Sequence, residues 1–234
     1  IQIQESGRFA LDILERHIRM ADYPVDVTFT GPNSPSILGM YPALDPSIYT
    51  INPASTPTTP YYNNAITSTY GGATGPDSIS IRYYTDFNSS GSAFSACGDS
   101  LTTTPGISTF EFSIDTVNNR LRCRTTENGT NTYKVLLENV VNMKIQYGID
   151  GNATPAPTTV TRYEKNPDSI VGERIVSVRI ALLIKGNTPT TGTCNKSYTL
   201  LDPTPTAQIP TSDCYLYKVI QTTIRLRNRL NRKA

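Results

Sequence analysis

Four cysteines and one histidine are the residues here best suited to hold a soft metal or carry nucleophilic chemistry: Cys97, Cys123, Cys194, Cys214 and His17. No two cysteines stand at C-x-x-C spacing, and one imidazole cannot complete a zinc set. The even number therefore points to two disulfides, which places the chain outside the cytosol. Four cysteines allow three pairings. Cys97–Cys123 and Cys194–Cys214 are favoured because each closes a local loop, worth about 3 kcal/mol in the chain-entropy treatment.

Any triad, proton relay or imidazole-bound metal would have to use His17, the single histidine. It falls between Leu14 and Ala21 on the apolar side of a helical pattern, where a packed or interface histidine is the expected role. The chain contains no G-x-S-x-G, H-E-x-x-H, P-loop or G-x-G-x-x-G, so the residues call for no catalytic site, no cofactor and no metal. In YGIDGN, Asp150 and Asn152 could offer oxygens to Ca²⁺, but EF-hand spacing is missing and Asp-Gly is first a turn signal. Sequons at Asn88, Asn128, Asn152 and Asn195 carry no weight in a chain so rich in Asn, Ser and Thr.

The net charge of +2 conceals an asymmetry. The last ten residues, RLRNRLNRKA, hold five basic groups and no acid, so the remainder carries −3. Arg225, Arg227 and Arg229, followed by Arg232 and Lys233 and preceded by Tyr215 and Tyr217, could meet a nucleic-acid backbone and stack on bases. A solvated strand face with a basic tip is the plainer reading.

The elements that position these residues follow from periodicity. Apolar residues make up 37% of the 234 residues against 17% charged, enough for a packed core and too apolar for disorder. From about residue 2 to 22 the chain reads as a helix. Gln4, Glu5, Arg8, Asp12, Glu15, Arg16 and Arg19 share one arc, with Arg8/Asp12, Asp12/Arg16 and Glu15/Arg19 at i,i+4. Ile3, Phe9, Ala10, Leu11, Ile13, Leu14, Ile18, Met20 and Ala21 fill a wider apolar arc with His17 near its middle. An arc that wide would bury more than one flank of the helix. The packing face is read as Ile3, Ala10, Ile13, Leu14, His17 and Ala21, with Arg8, Glu15 and Arg19 wet. Residues 24–75, dominated by Pro, Ser, Thr, Asn, Gly and Tyr, read as a long loop region.

Strands follow. SISIRYYT spans 78–85. FEFSIDTVNNRLRCRT is a hairpin in which Phe110, Phe112 and Ile114 share a face with Leu121 and Cys123 across an Asn118-Asn119 turn. Residues 141–150, 174–186 and 217–229 complete the set, the last alternating Ile224 and Leu226 with Arg225 and Arg227. A helix followed by antiparallel strands is α+β. No apolar run reaches the roughly 18 residues of a membrane span.

Four blocks in chain order resemble the PilW-type minor pilins of type IV pili. ESGRFALDILERHIRMADYP is similar to the stretch after the membrane-inserted half of that family's N-terminal helix, with Asp22 where glycine is usual. LLENVVNMKIQYGID (136–150), RIVSVRIALLIKG (174–186) and TTIRLRNR (222–229) are similar to later blocks. The resemblance implies a type IV pilin-like fold, an N-terminal helix on an antiparallel head with long loops. Residues 1–23 would be the second half of that helix and 24–234 a β-rich periplasmic head. It further implies that an apolar helix half and a cleaved leader precede Ile1, and that Glu5 is not the family's membrane-embedded glutamate.

The function so implied is structural: a minor pilin that joins other minor pilins in a complex priming pilus assembly, with the major pilin as further partner. It would stand in the inner membrane through the preceding helix, then pass to the pilus tip and the cell surface. A J-type minor pseudopilin of type II secretion and a tip subunit binding DNA or a surface ligand are the alternatives. Export implies oxidised cysteines, so mass spectrometry of the non-reduced protein should find no free thiol. Alkylation of any of the four without prior reduction would contradict it.

Overall fold

A computed structural model describes residues 2–21, 66–85, 97, 106–125, 133–150, 159–166, 174–191, 194, 196–201, 207–209 and 213–226. Helix α1 (Gln2–Met20) opens it. The apolar spacing that marks the helix in the sequence supplies its docked face, and i,i+4 ion pairs Asp12–Arg16 and Glu15–Arg19 lie on its exposed side. The helix ends in a turn closed by the Ala21 amide donating to the Ile18 carbonyl at 3.1 Å.

Two antiparallel sheets follow. The first runs β1 (Ile66–Thr69), β2 (Ser78–Thr85), β3 (Gly106–Asp115), β4 (Arg120–Thr125) and β5 (Lys134–Glu138), in sequence order. Alternation decides its faces: Ile79, Ile81, Phe110, Phe112, Ile114, Leu121 and Cys123 are buried. The β3–β4 turn is tied by the Asp115 carboxylate, which accepts from the Val117 and Asn118 amides, and Asn119 takes the left-handed conformation at φ 53°. The second sheet is built from β6 (Val140–Asp150), β7 (Arg162–Glu164), β8 (Arg174–Pro189) and β11 (Tyr215–Arg225), in the order β11-β8-β6-β7. A short antiparallel pair, β9 (Lys196–Tyr198) and β10 (Ala207–Ile209), forms a separate two-stranded sheet.

The chain crosses from one sheet to the other at Asn139, itself left-handed at φ 63°, whose carbonyl accepts from the Lys185 amide at 2.8 Å. The main core lies between helix and sheets and holds Leu14, Ile18, Phe110, Phe112, Met143, Ile145, Tyr147 and Ile180. A smaller one, Ala181, Leu183, Leu200 and Tyr217, lies on the outer face of β8.

Asp77 fastens the two sheets together. Its carboxylate accepts from the Gly71 amide at 2.9 Å, the Ile145 amide at 2.9 Å and the Lys144 ammonium at 3.2 Å. Its own amide donates to the Met143 carbonyl at 2.8 Å. Burial pushes this carboxyl above the usual carboxylate range, while the two backbone amides and Lys144 pull it down. Lys144 also donates to the Gly72 carbonyl at 2.6 Å, so a buried cation and a buried anion satisfy each other and the Gly71–Asp77 turn together.

The structure amends the sequence reading: β5, β7, β9 and β10 are strands it did not mark, and β8 runs on through Pro189. Within the segment read as loop, Ile66–Thr69 is a strand pairing with β2; only four residues long and with Ile66 its one buried side chain, it gives almost no periodic signal. The last strand begins at Tyr215, and after Arg225 the Leu226 amide still donates to Val176. Residues 227–229 and the boundary proposed at residue 23 lie outside the described residues. The helix ends at Met20.

Replacing Asp77 with Ala strands Lys144 as a buried, unpaired charge. The expected loss is about 3–5 kcal/mol, read by urea denaturation. An unchanged midpoint would show that the pair does not hold the sheets.

Candidate functional site

The site is helix α1 and what it leaves uncovered. At Gly7 the helix comes so near the second sheet that a Cβ there would run into Ile220 Cδ1 and stand 2.7 Å from Ile184 Cδ1. A side chain there would force the ends of Ile220 and Ile184 to move aside. One flank of the helix is closed over this contact: Gly7, Ala10, Leu11, Leu14, His17, Ile18 and Ala21 are all buried. Ile3 and Ile13, read as part of the packing face, are half-buried against the core, so they mark its margins. Arg8 and Arg19 are exposed and Glu15 is half-exposed.

The flank beside the docked one is different. At 100° per residue, Phe9, Ile13 and Met20 lie within a narrow stripe. Phe9 is 58% exposed, and Ile13 and Met20 are only partly covered. The head thus closes most of the apolar arc and leaves a narrow seam open at Phe9, bordered by the partly buried Ile13 and Met20.

His17 sits deep in the docked flank, 1% exposed. Its ring centroid is 4.7 Å from Phe110, 5.2 Å from Phe112 and 5.9 Å from Tyr83, and Tyr83 stacks on Phe110 at 4.8 Å. Nδ1 lies 2.9 Å from the Tyr83 hydroxyl, and Nε2 is buried with no hydrogen-bond partner among the described residues. Burial, with a smaller push from Arg16, lowers the pKa from 6.5 to about 4. The ring is therefore neutral at physiological pH. It belongs to an aromatic pocket that grips the helix, and its surroundings offer it nothing to activate.

The remaining expected site residues scatter. Cys97 pairs with Cys123, pinning residue 97 to β4, and Cys194 pairs with Cys214 beside the start of β11. Asp150 is buried at the end of β6, opposite Arg174, while Asn152 is outside the described residues. Among the described residues no group of three or more His, Cys, Asp or Glu could hold a metal ion. Arg225 is exposed on β11; Arg227 and Arg229 are outside the described residues.

Tyr217 is buried and donates to Asp213 at 2.8 Å, and Lys185 lies over the Tyr215 ring at 4.0 Å, so both tyrosines fasten the β8–β11 end. The sequence reading missed Tyr83, Phe110 and Phe112 as the wall around His17. A histidine alone on an apolar arc announces that a polar partner must exist, but not which strand supplies it.

The His17 pocket sets a pH dependence. The unfolded chain takes up this proton near pH 6.5 and the folded chain only near pH 4. Its contribution is thus intact above pH 6.5 and drains as pH falls from 6.5 to 4, by about 3 kcal/mol in all. Stability measured against pH for the native chain and His17→Phe should diverge by that amount across the window. Parallel profiles would contradict the buried neutral imidazole.

No helix among the described residues is long and apolar enough to cross a membrane. No curated protein matches the chain. Among solved structures it is similar to the type IV-like pilin TTHA1219 from Thermus thermophilus, at 11% identity and a TM-score of 0.42, over 71% of this chain and 84% of that one. The family described as PilW, Type IV Pilus-assembly protein W, matches residues 111–228, from β3 through the end of β11. That span is half of the chain and includes the whole of the second sheet to which α1 is docked, so the chain belongs to the type IV pilus-assembly protein W family.

Proposed function

We propose that this chain is a minor pilin, a structural subunit that joins other minor pilins in a complex priming type IV pilus assembly and ends at the pilus tip. Before extraction its head stands on the periplasmic side of the inner membrane, and afterwards it meets the major pilin below it. The observation that supports this reading is the apolar seam at Phe9, 58% exposed and edged by the partly buried Ile13 and Met20, on the flank of the helix beside the docked one. A soluble head alone would gain by closing that seam. A subunit of a helix bundle must leave it open.

Starting a filament is the difficult step, because the first subunits have no helices beneath them to pack against. Subunits that recognise one another lower that barrier. Burying Phe9 contributes about 1.5–3 kcal/mol per contact, enough to add to head contacts but not to drive association alone. Weak, specific recognition between heads fits such a part.

The purified head should bind at least one other minor pilin head from the same operon, and cells lacking it should make few or no pili. Phe9→Asp, at an exposed position, should leave the melting temperature of the head within about 2 °C of the parent while reducing piliation. Full piliation in the deletion strain, together with no association between heads, would discard the priming role.

A further inference from the structure

The outer face of the second sheet carries an open polar cleft of about 730 Å³. Its floor follows from register. Gln146 on β6 stands opposite Arg179 on β8, and Arg179 opposite Thr223 on β11, so the three side chains form a row across adjacent strands. Their neighbours Ile145, Val178, Ile180 and Ile224 are buried on the core side, so alternation turns this row outward. Gln221 lies two residues along β11 on the same face, and Thr199 and Leu201 form one wall. That wall is held to the floor, since the Gln146 side-chain amide donates to the Leu201 carbonyl at 3.2 Å.

Arg179 gives the cleft its chemistry. Its guanidinium lies 3.5 Å from the centroid of the Tyr163 ring, and Tyr163 packs over Gly148, where a Cβ would stand 3.1 Å from the ring. Stacking on the ring covers one face of the guanidinium and leaves its in-plane N–H groups available to a ligand. Among the described residues no acidic side chain lines the cleft and no carboxylate pairs with Arg179. Among the described residues the lining thus sets one cation beside the amide side chains of Gln146 and Gln221 and the hydroxyls of three threonines, all able both to donate and to accept.

We propose that this cleft binds a carboxylated saccharide, with Arg179 receiving the carboxylate through its paired N–H groups and Gln146, Gln221, Thr199 and Thr223 meeting the sugar hydroxyls. A planar fork matches a carboxylate bidentately, and clustered neutral donor–acceptor groups match hydroxyls. The volume lies within the roughly 300–1,000 Å³ of ordinary ligand sites. This site does not rest on the assembly role, and failure of either leaves the other standing.

The test is titration of the oxidised protein with trigalacturonate, followed by amide chemical shifts and calorimetry. Shifts should concentrate at Gln146, Thr199 and Thr223, and both Arg179→Gln and Arg179→Lys should weaken binding about tenfold or more, because neither retains the fork. Thr223→Val, at an exposed position, should weaken it with no change in melting temperature. No binding of trigalacturonate would overturn the proposal. Equal binding of neutral maltotriose would overturn carboxylate recognition, and equal displacement by inorganic phosphate would reduce the site to a simple anion site and overturn the saccharide class.

Discussion

Gly7 allows α1 to lie so close to the second sheet that Ile220 and Ile184 occupy the space a side chain would fill, and ten residues later His17 enters the aromatic pocket of the first. One helix thus bridges two sheets that meet otherwise through the Asn139 crossover, core packing and the Asp77 clasp. The rest of the head depends on that bridge. A helix shifted outward by even one methyl group would lift Leu14 and Ile18 from the core and strand the His17 Nδ1 without the Tyr83 hydroxyl. Cores packed at crystal density do not absorb such a shift gradually.

The bridge also explains why Phe9 remains uncovered on the flank beside it. A helix wedged against two sheets along one flank cannot roll to bury the other without giving up the Gly7 contact. Phe9 is therefore held open by packing elsewhere in the head. Local geometry and the assembly reading meet at that point: the same constraint that fixes the head on its helix presents an apolar stripe to whatever lies beside it.

Where a residue's own neighbours in sequence decided its environment, the sequence was easy to read. The period-two pattern of Phe110, Phe112, Ile114, Leu121 and Cys123 marks the β3–β4 hairpin, and the period of α1 marks both its docked and wet sides. Contacts joining distant segments left no such trace. Asp77 follows Gly and Pro in a stretch that looks like any loop, and only Lys144, 67 residues on, makes it a clasp. Tyr83 is 66 residues from His17. Arg179 stands in an apolar run, a visible oddity, but its stacking on Tyr163 and its register with Gln146 and Thr223 belong to the fold. The β5 strand, with Lys134, Val135 and Glu138 exposed, lacks the alternation that would have marked it.

On the proposed assembly role, the head closes one flank of α1 and other subunits close over Phe9 on the adjacent one. Single cysteines at Phe9, Leu14 and Arg16, labelled with a soluble maleimide in the purified oxidised head and again in piliated cells, test it directly. The account predicts that position 9 reacts in the isolated head and is protected in assembled material, while position 14 is protected and position 16 reactive in both. Equal reactivity of position 9 in the two states, or rapid labelling of position 14 in the isolated head, would contradict it.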